Sequence, residues 1–249
     1  MPQSKDAEVR RLLVLDFDGV ICDSVEECFV ASWSAFHELR RVASPAAPDN
    51  ARAAFRHLRP FVRSGEDFLL IQHLIARGEA PASQGEFDSA WDQAGMPGPK
   101  ECKDLFYRVR TEMRDRDPAA WLAMNRVYAH VPPGLTRLSP AVPLYVLSTK
   151  KPPFVIAPMA AAGISVPPER VLYAESEPKL ATVERLLRQL DRQEAVFIED
   201  QIDAIRSNRN PRIRAYLADW GYVQKAWLAE PQGATVLSAD AFGDLVGSL

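Results

Sequence analysis

The first apolar run of the chain is short and ends in acidic residues. Residues 11–17 read RLLVLDF, an apolar stretch with polar ends that predicts a fully buried strand. Gly19 then interrupts the pattern. From Val25 to Phe36 apolar residues recur at three- and four-residue steps, which predicts an amphipathic helix with Ser24 as its N-cap.

The next hundred residues predict helices and no convincing strand. Between about positions 43 and 140, breaks rich in Pro and Gly at 44–50, 80–85 and 96–100 separate the helical stretches. These stretches cover residues 68–75, 102–113 and 119–128. The pattern therefore predicts an all-helical block.

After position 140 short apolar runs alternate with amphipathic segments. Strands are predicted at 142–147, 171–173, 195–198 and 213–217, and helices at 154–162, at 179–190 and from 201 onward. Alternation of this kind is typical of a parallel sheet with helices on both faces. The predicted fold class is α/β: a Rossmann-like parallel-sheet core, interrupted after its first strand by an all-helical insertion.

Composition and charge narrow the function. The 249 residues are 47% hydrophobic and 25% charged, which is ordinary for a soluble globular protein. The net charge of −3 gives no reason to expect a nucleic acid or an anionic membrane as partner. The three cysteines show no metal-ligand spacing and no apolar run is long enough for a signal sequence, so we expect a soluble, cytoplasmic protein with free thiols.

Polar side chains follow the predicted strands at the point where each strand ends. Asp16 and Asp18 follow the first strand. The later strands are followed by hydroxyls, lysines and further acids: Ser148, Thr149, Lys150, Lys179, Glu199, Asp200 and Asp203. Because ligands of open parallel sheets bind beyond the carboxyl ends of the strands, we expect these groups to converge on one edge.

Several carboxylates at one edge repel each other unless a cation neutralises them. Mg²⁺ prefers oxygen ligands and is usually held by one or two carboxylates together with substrate phosphate. A hydroxyl and a lysine are suited to phosphate oxygens. The set therefore predicts Mg²⁺-dependent phosphoryl transfer, with one Asp as nucleophile and the other as general acid and base.

These segments resemble a known family. LDFDGVICDS at 15–24 is similar to the first motif of the haloacid dehalogenase superfamily, in the DxDG form of its phosphatase branch. LSTKKP at 147–152, Lys179 in EPKL and FIEDQIDAI at 197–205 are similar to the second, third and fourth motifs, in family order, and LADWGY at 217–222 resembles a segment that often closes the core. The resemblance covers the whole chain and implies a core domain at 1–23 and 136–249 with a helical cap domain at 24–135.

The resemblance also implies roles for single residues. Asp16 becomes the nucleophile and a magnesium ligand, and Asp18 the general acid and base with its backbone carbonyl on the metal. Ser148, with Thr149 beside it, and Lys179 hold the phosphoryl oxygens.

The fourth motif departs from the family pattern. The family commonly has Gly-Asp and a second acid four positions later, whereas here Glu199 replaces the Gly and Asp203 lies three residues after Asp200. Which carboxylates bind the metal is therefore open. We expect Asp200 to be a metal ligand and Asp203 to orient Lys179 or a metal-bound water.

Caps of this family supply substrate contacts, and three arginines of the helical block are candidates. Arg63 lies beside a predicted helix start, where an anionic group could bind. Arg110 and Arg126 lie on predicted amphipathic helices. The alternative to a substrate contact, for all three arginines, is that they are solvated charges on the protein surface. Lys150 lies close to Ser148 and could assist phosphate binding, although a loop lysine is usually solvated.

The leading function is a phosphoric monoester hydrolase that acts on a small phosphorylated metabolite through an aspartyl-phosphate. The first alternative is a sugar phosphomutase with the same core residues. The second is a non-catalytic phosphate-binding or partner-binding protein. The sequence does not identify the substrate or the oligomeric state.

Overall fold

A computed structural model describes residues 9–174 and 177–249 of the chain. The chain forms two compact units. The α/β unit ends at Cys22 and resumes from Val127 to Leu249, and the helical unit comprises Asp23–Arg126. The helical unit is therefore an insertion into the chain of the α/β unit.

The α/β unit contains a six-stranded sheet in which every neighbouring pair of strands is parallel. Two further strands, β2 and β3, have two residues each and form a separate sheet. The strands are β1 (Arg11–Leu15), β2 (Cys22–Asp23), β3 (Arg126–Val127), β4 (Leu144–Ser148), β5 (Val171–Tyr173), β6 (Glu194–Glu199), β7 (Ile213–Ala218) and β8 (Thr235–Leu237). The order in the large sheet is β5-β4-β1-β6-β7-β8.

Strand β1 lies in the middle of the sheet and is buried on both faces. Leu13 pairs with Leu144 of β4 on one side and with Val196 of β6 on the other. Because side chains alternate along a strand, Leu13 and Leu15 enter one apolar cluster and Leu12 and Val14 enter the other. The apolar run that predicted a buried strand thus places the loop after Leu15 at the centre of the sheet edge.

The helices predicted at 154–162 and 179–190 are confirmed, and the described part of the α/β unit has five α-helices. They are α7 (Val131–Leu135), α8 (Pro153–Ala161), α9 (Lys179–Gln189), α10 (Lys225–Ala229) and α11 (Ala239–Gly247). The predicted helix from position 201 is wrong, since only a 3₁₀ turn forms there, at Ile202–Ala204. Asn208 accepts a hydrogen bond from the amide of Asn210 and donates one to the carbonyl of Ile213, and these local bonds compete with a helix.

The helical unit contains six α-helices among its described residues. They are α1 (Val25–Leu39), α2 (Asp49–Leu58), α3 (Asp67–Arg77), α4 (Gln84–Gln93), α5 (Pro99–Arg116) and α6 (Pro118–Ala123), with a 3₁₀ turn at Arg59–Phe61. The helix predicted at 119–128 is wrong at its end, because α6 stops at Ala123 and residues 126–127 form β3. Strand β3 also corrects the prediction that no strand occurs between 43 and 140.

The second boundary between the units differs from the prediction at 135/136. The structure has it after Arg126, so that α7 belongs to the α/β unit. Val131 of α7 is fully buried in the apolar cluster of that unit. Gly134 lies so close to Phe242 of α11 that a Cβ atom there would lie 2.5 Å from the ring. Tertiary packing of this kind leaves no local signal at position 135.

Within the described part of the chain, every helix is too short or too polar to cross a bilayer.

Candidate active site

The loop after β1 carries the first two acids of the candidate site. The amide of Asp16 donates to the carbonyl of Ile198, at 3.0 Å, which extends the pairing of β1 with β6 by one residue. The chain then turns, and the amides of Ile21 and Cys22 both donate to the carbonyl of Phe17, at 2.9 Å. This turn ends the strand, so that Asp16 and Asp18 both lie in the loop at its carboxyl end.

Gly19 permits this turn for two reasons. Its φ of +84° is a conformation that residues with a side chain rarely adopt. A Cβ atom at this position would also overlap with the carboxylate oxygen Oδ2 of Asp200. The glycine therefore brings the loop after β1 against the loop after β6.

Lys179 joins two of the buried carboxylates. It is the first residue of α9, and its Nζ lies 2.9 Å from Oδ1 of Asp16 and 2.7 Å from Oε2 of Glu199. Glu199 is fully buried, and its other oxygen accepts hydrogen bonds from the amides of Asp200 and Gln201, both at 3.1 Å. The positive charge of Lys179 is thus fixed beside Asp16.

The carboxylates of this group resist ionisation because they are buried close together. Burial, and then the negative charge of Glu199, raise the pKa of Asp16 to about 7, and the charge of Lys179 offsets only part of this. Burial likewise raises the pKa of Glu199. Burial lowers the pKa of Lys179, but the charges of Asp16 and Glu199 outweigh it, so that this pKa is raised and Lys179 stays protonated.

Asp16, Glu199 and Asp200 form a group that could hold a metal ion. One oxygen of each lies within 4.8 Å of the others. Both oxygens of Glu199 are already engaged, by Lys179 and by backbone amides. Oδ1 of Asp16 is buried and has an ion pair with Lys179 but no well-directed hydrogen bond. An oxygen-only donor set and an excess of buried negative charge fit Mg²⁺, with Asp16 and Asp200 as ligands.

Strand β4 ends in the predicted hydroxyl. Ser148 is buried, and its Oγ accepts a hydrogen bond from the amide of Lys150, at 3.2 Å. Ser148 lies two residues beyond the pair Leu15 and Val146, so that it reaches the same edge of the sheet as Asp16. Thr149 follows it and is half-buried.

Lys150 is a residue whose role sequence reasoning underestimated. A role in phosphate binding was one expectation and solvation the alternative, but only 2% of the surface of Lys150 is exposed. Its Nζ lies 3.0 Å from Oδ1 of Asp18 and 5.3 Å from the centre of the Phe17 ring. The partner is 132 residues away in the chain, so no local pattern reveals the pair.

Asp203 lies at the edge of this group. Lys179 forms ion pairs with the carboxylates of Asp16 and Glu199, and Asp203 forms an ion pair with Arg206, at 3.0 Å. Asp203 lies in the 3₁₀ turn that replaces the predicted helix, and Arg206 follows two residues after that turn. Glu199 is thus one partner that fixes Lys179, and the role of Asp203 in orienting Lys179 or a metal-bound water stays a prediction.

Two arginines of the helical unit have protein partners. The guanidinium of Arg110 is buried and forms two hydrogen bonds with Glu27, at 2.8 and 2.9 Å, which contradicts a role in contacting substrate. Arg63 forms a two-pronged ion pair with Asp88, at 2.8 and 3.0 Å. Its amide donates to the carboxylate of Asp67, which occupies the helix start where we expected an anion. Arg126, in β3, is exposed.

Comparison with known proteins identifies the fold. No family model and no curated protein matches the chain. The chain is similar to the crystal structure of a predicted phosphoglycolate phosphatase from Haemophilus somnus, with a TM-score of 0.63, 18% identity and 96% of each chain covered. A haloacid dehalogenase-like family hydrolase from Streptococcus pneumoniae has a TM-score of 0.58 and 15% identity, with 97% of this chain and 99% of that chain covered.

A third similar structure bears a different description. Protein Tyrosine Kinase A from Mycobacterium tuberculosis has a TM-score of 0.55 and 20% identity, with 96% of this chain and 98% of that chain covered.

The predicted α/β, haloacid dehalogenase-like fold is thus confirmed. Since these structures include hydrolases and a protein described as a kinase, the activity has to be argued from the site.

Proposed function

We propose that this chain is a magnesium-dependent phosphohydrolase of the haloacid dehalogenase-like superfamily that acts on a small phosphorylated metabolite. The observation that carries the proposal is the buried group at the centre of the sheet edge. There Asp16 lies 2.9 Å from Lys179 and within 4.8 Å of oxygens of Glu199 and Asp200. A nucleophilic carboxylate, a fixed cation and further acids in one place are the requirements of phosphoryl transfer to Asp.

The residues divide the chemistry between them. An oxygen of Asp16 attacks phosphorus, and the leaving oxygen of the substrate takes a proton from Asp18. Water then attacks the phosphorus of the aspartyl-phosphate and gives a proton to Asp18, which releases inorganic phosphate and regenerates Asp16. Lys179 and Ser148 bind the phosphoryl oxygens throughout.

Asp16 and Asp200 are the side chains that would hold Mg²⁺, with the backbone carbonyl of Asp18. The bound ion would supply positive charge that lowers the pKa of Asp16 and neutralises charge on the phosphoryl oxygens. Glu199 holds Lys179 in place. The helical unit, inserted after β1, would serve as the cap that selects the substrate.

Phosphate release from p-nitrophenyl phosphate and from a panel of phosphorylated metabolites tests this proposal. We expect hydrolysis that requires Mg²⁺ and stops with EDTA. Asp16→Asn should lower the rate by about 1,000-fold or more, since it removes the nucleophile. Asp244→Asn is the matched control, because the side chain of Asp244 is 81% exposed.

The products separate the alternatives. Free phosphate supports a hydrolase, whereas an isomerised sugar phosphate without phosphate release would indicate a mutase. Binding of substrates without turnover would indicate a non-catalytic protein. Acid-quenched protein that retains ³²P from labelled substrate, but not after Asp16→Asn, would identify the aspartyl-phosphate.

A further inference from the structure

A short loop after β7 contacts Asp200 of the candidate site. This loop, residues 219–222 with the sequence DWGY, follows Ala218 at the end of β7. It carries no group that the proposed reaction uses. Its backbone and one side chain nevertheless contact both of the loops that supply the proposed metal ligands.

The first contact is to Asp200. The amide of Tyr222 donates to Oδ2 of Asp200 at 2.7 Å, and both residues are buried. A hydrogen bond to a carboxylate of this length is strong, because the acceptor is charged. It fixes which way the Asp200 carboxylate faces.

The second contact is a close approach of backbone. A Cβ atom on Gly221 would lie 2.5 Å from Cβ of Asp200 and 2.6 Å from the carbonyl oxygen of Gly19. A Cβ on Gly19 would likewise overlap with Oδ2 of Asp200. Asp200 is thus held between two glycines, one from the loop after β1 and one from the loop after β7.

The third contact ties the loop to the turn after Asp18. The indole Nε1–H of Trp220 donates to the carbonyl of Val20 at 3.1 Å. The indole ring is itself held edge-on by His130 and Phe242, with centres 4.6 and 5.9 Å away. Since Asp16 and Asp200 are on different strands, this bond and the glycine contacts couple their loops.

We propose that the 219–222 loop is a positioning element that sets the separation and orientation of Asp16 and Asp200, and thereby the affinity for Mg²⁺. This inference rests on the proposed function. In this proposal the loop supplies no ligand to the ion and no contact to the substrate. It acts through Asp200 and through the turn at Val20, as residues behind metal ligands do in other proteins.

Two substitutions test the inference with Mg²⁺ itself as the probe. Trp220→Phe removes the indole N–H and keeps an aromatic ring, and Gly221→Ala introduces the Cβ that has no room. Trp227→Phe, on α10, and Gly85→Ala, where a Cβ meets no atom within 4 Å, are the matched controls. Isothermal titration of the metal-free full-length proteins measures Mg²⁺ affinity without reference to catalysis.

We expect Gly221→Ala and Trp220→Phe to weaken Mg²⁺ binding by about tenfold or more, and the controls to change it less than about twofold. Saturating Mg²⁺ should restore most of the turnover rate of Trp220→Phe, because the positions of the ligands and not the reacting groups are altered. A merely structural role would lower the unfolding midpoint and leave the Mg²⁺ dependence unchanged.

Trp220→Phe decides the matter if Gly221→Ala does not fold. Affinity for Mg²⁺ equal to that of the parent protein in folded Trp220→Phe would overturn the inference and leave the proposed function intact. No Mg²⁺ binding by the parent protein would overturn both.

Discussion

Asp16→Asn should make the metal-free protein more stable, and by an amount that increases with pH. The pKa of Asp16 is raised from 3.8 to about 7 by burial and by Glu199. When folding raises the pKa of a carboxyl group, the free energy of unfolding of the protein falls as the pH rises from the unfolded pKa to the folded pKa. Asn resembles the neutral acid and does not titrate, so the variant lacks this loss.

The size of this gain in stability follows from the pKa shift of Asp16. About three pKa units correspond to about 4 kcal/mol at pH values above 7. The charge of Lys179 is already included in this shift, because it offsets part of the effects of burial and of Glu199 on the pKa of Asp16. Between about pH 5.5 and pH 8, the free energy of unfolding of the parent protein falls only up to about pH 7. The difference in unfolding free energy between Asp16→Asn and the parent protein should therefore grow by about 2 kcal/mol over this range.

Urea unfolding in EDTA, followed by circular dichroism at both pH values, measures this difference. Asp244→Asn is the control, and its difference from the parent protein should be the same at both pH values because its side chain is 81% exposed. A difference for Asp16→Asn that does not change with pH would refute the conclusion that Asp16 resists ionisation. Mg²⁺ should stabilise the parent protein more than the variant, since the ion would remove the same penalty.

Two further substitutions test other buried charges. Lys150→Met should lower the rate of phosphate release by about 100-fold, because Asp18, the carboxylate that transfers the proton, loses its partner. Lys151→Met, on the exposed neighbouring residue, should change the rate less than about twofold. Equal effects of the two substitutions in a rate assay would contradict a role of Lys150. Arg110→Ala should destabilise the protein in urea by about 3–5 kcal/mol, since it leaves Glu27 buried without its counter-charge. Arg108→Ala, whose side chain is 46% exposed, should change the unfolding free energy by less than about 1 kcal/mol, and a similar loss in both variants would count against the buried pair.

The sequence by itself predicted five of the six strands of the large sheet and missed β8. The strand predicted at 171–173 has the same bounds as β5, and the strands predicted at 195–198 and 213–217 each lie within one or two residues of β6 and β7. Buried parallel strands are nearly continuous apolar runs, so their signal is local. Because the carboxyl ends of parallel strands share one edge of the sheet, the sequence also predicted that the acids after β1 and β6 lie at the same edge.

Tertiary structure alone decided how the charges pair. Lys150 is bonded to Asp18 across 132 residues, and Arg110 is bonded to Glu27 across 83. A charged side chain is solvated unless a distant partner offsets its burial, and that partner is set by the packing of strands and helices. The boundary after Arg126 likewise depends on the contact of Gly134 with Phe242, which no periodicity in the sequence encodes.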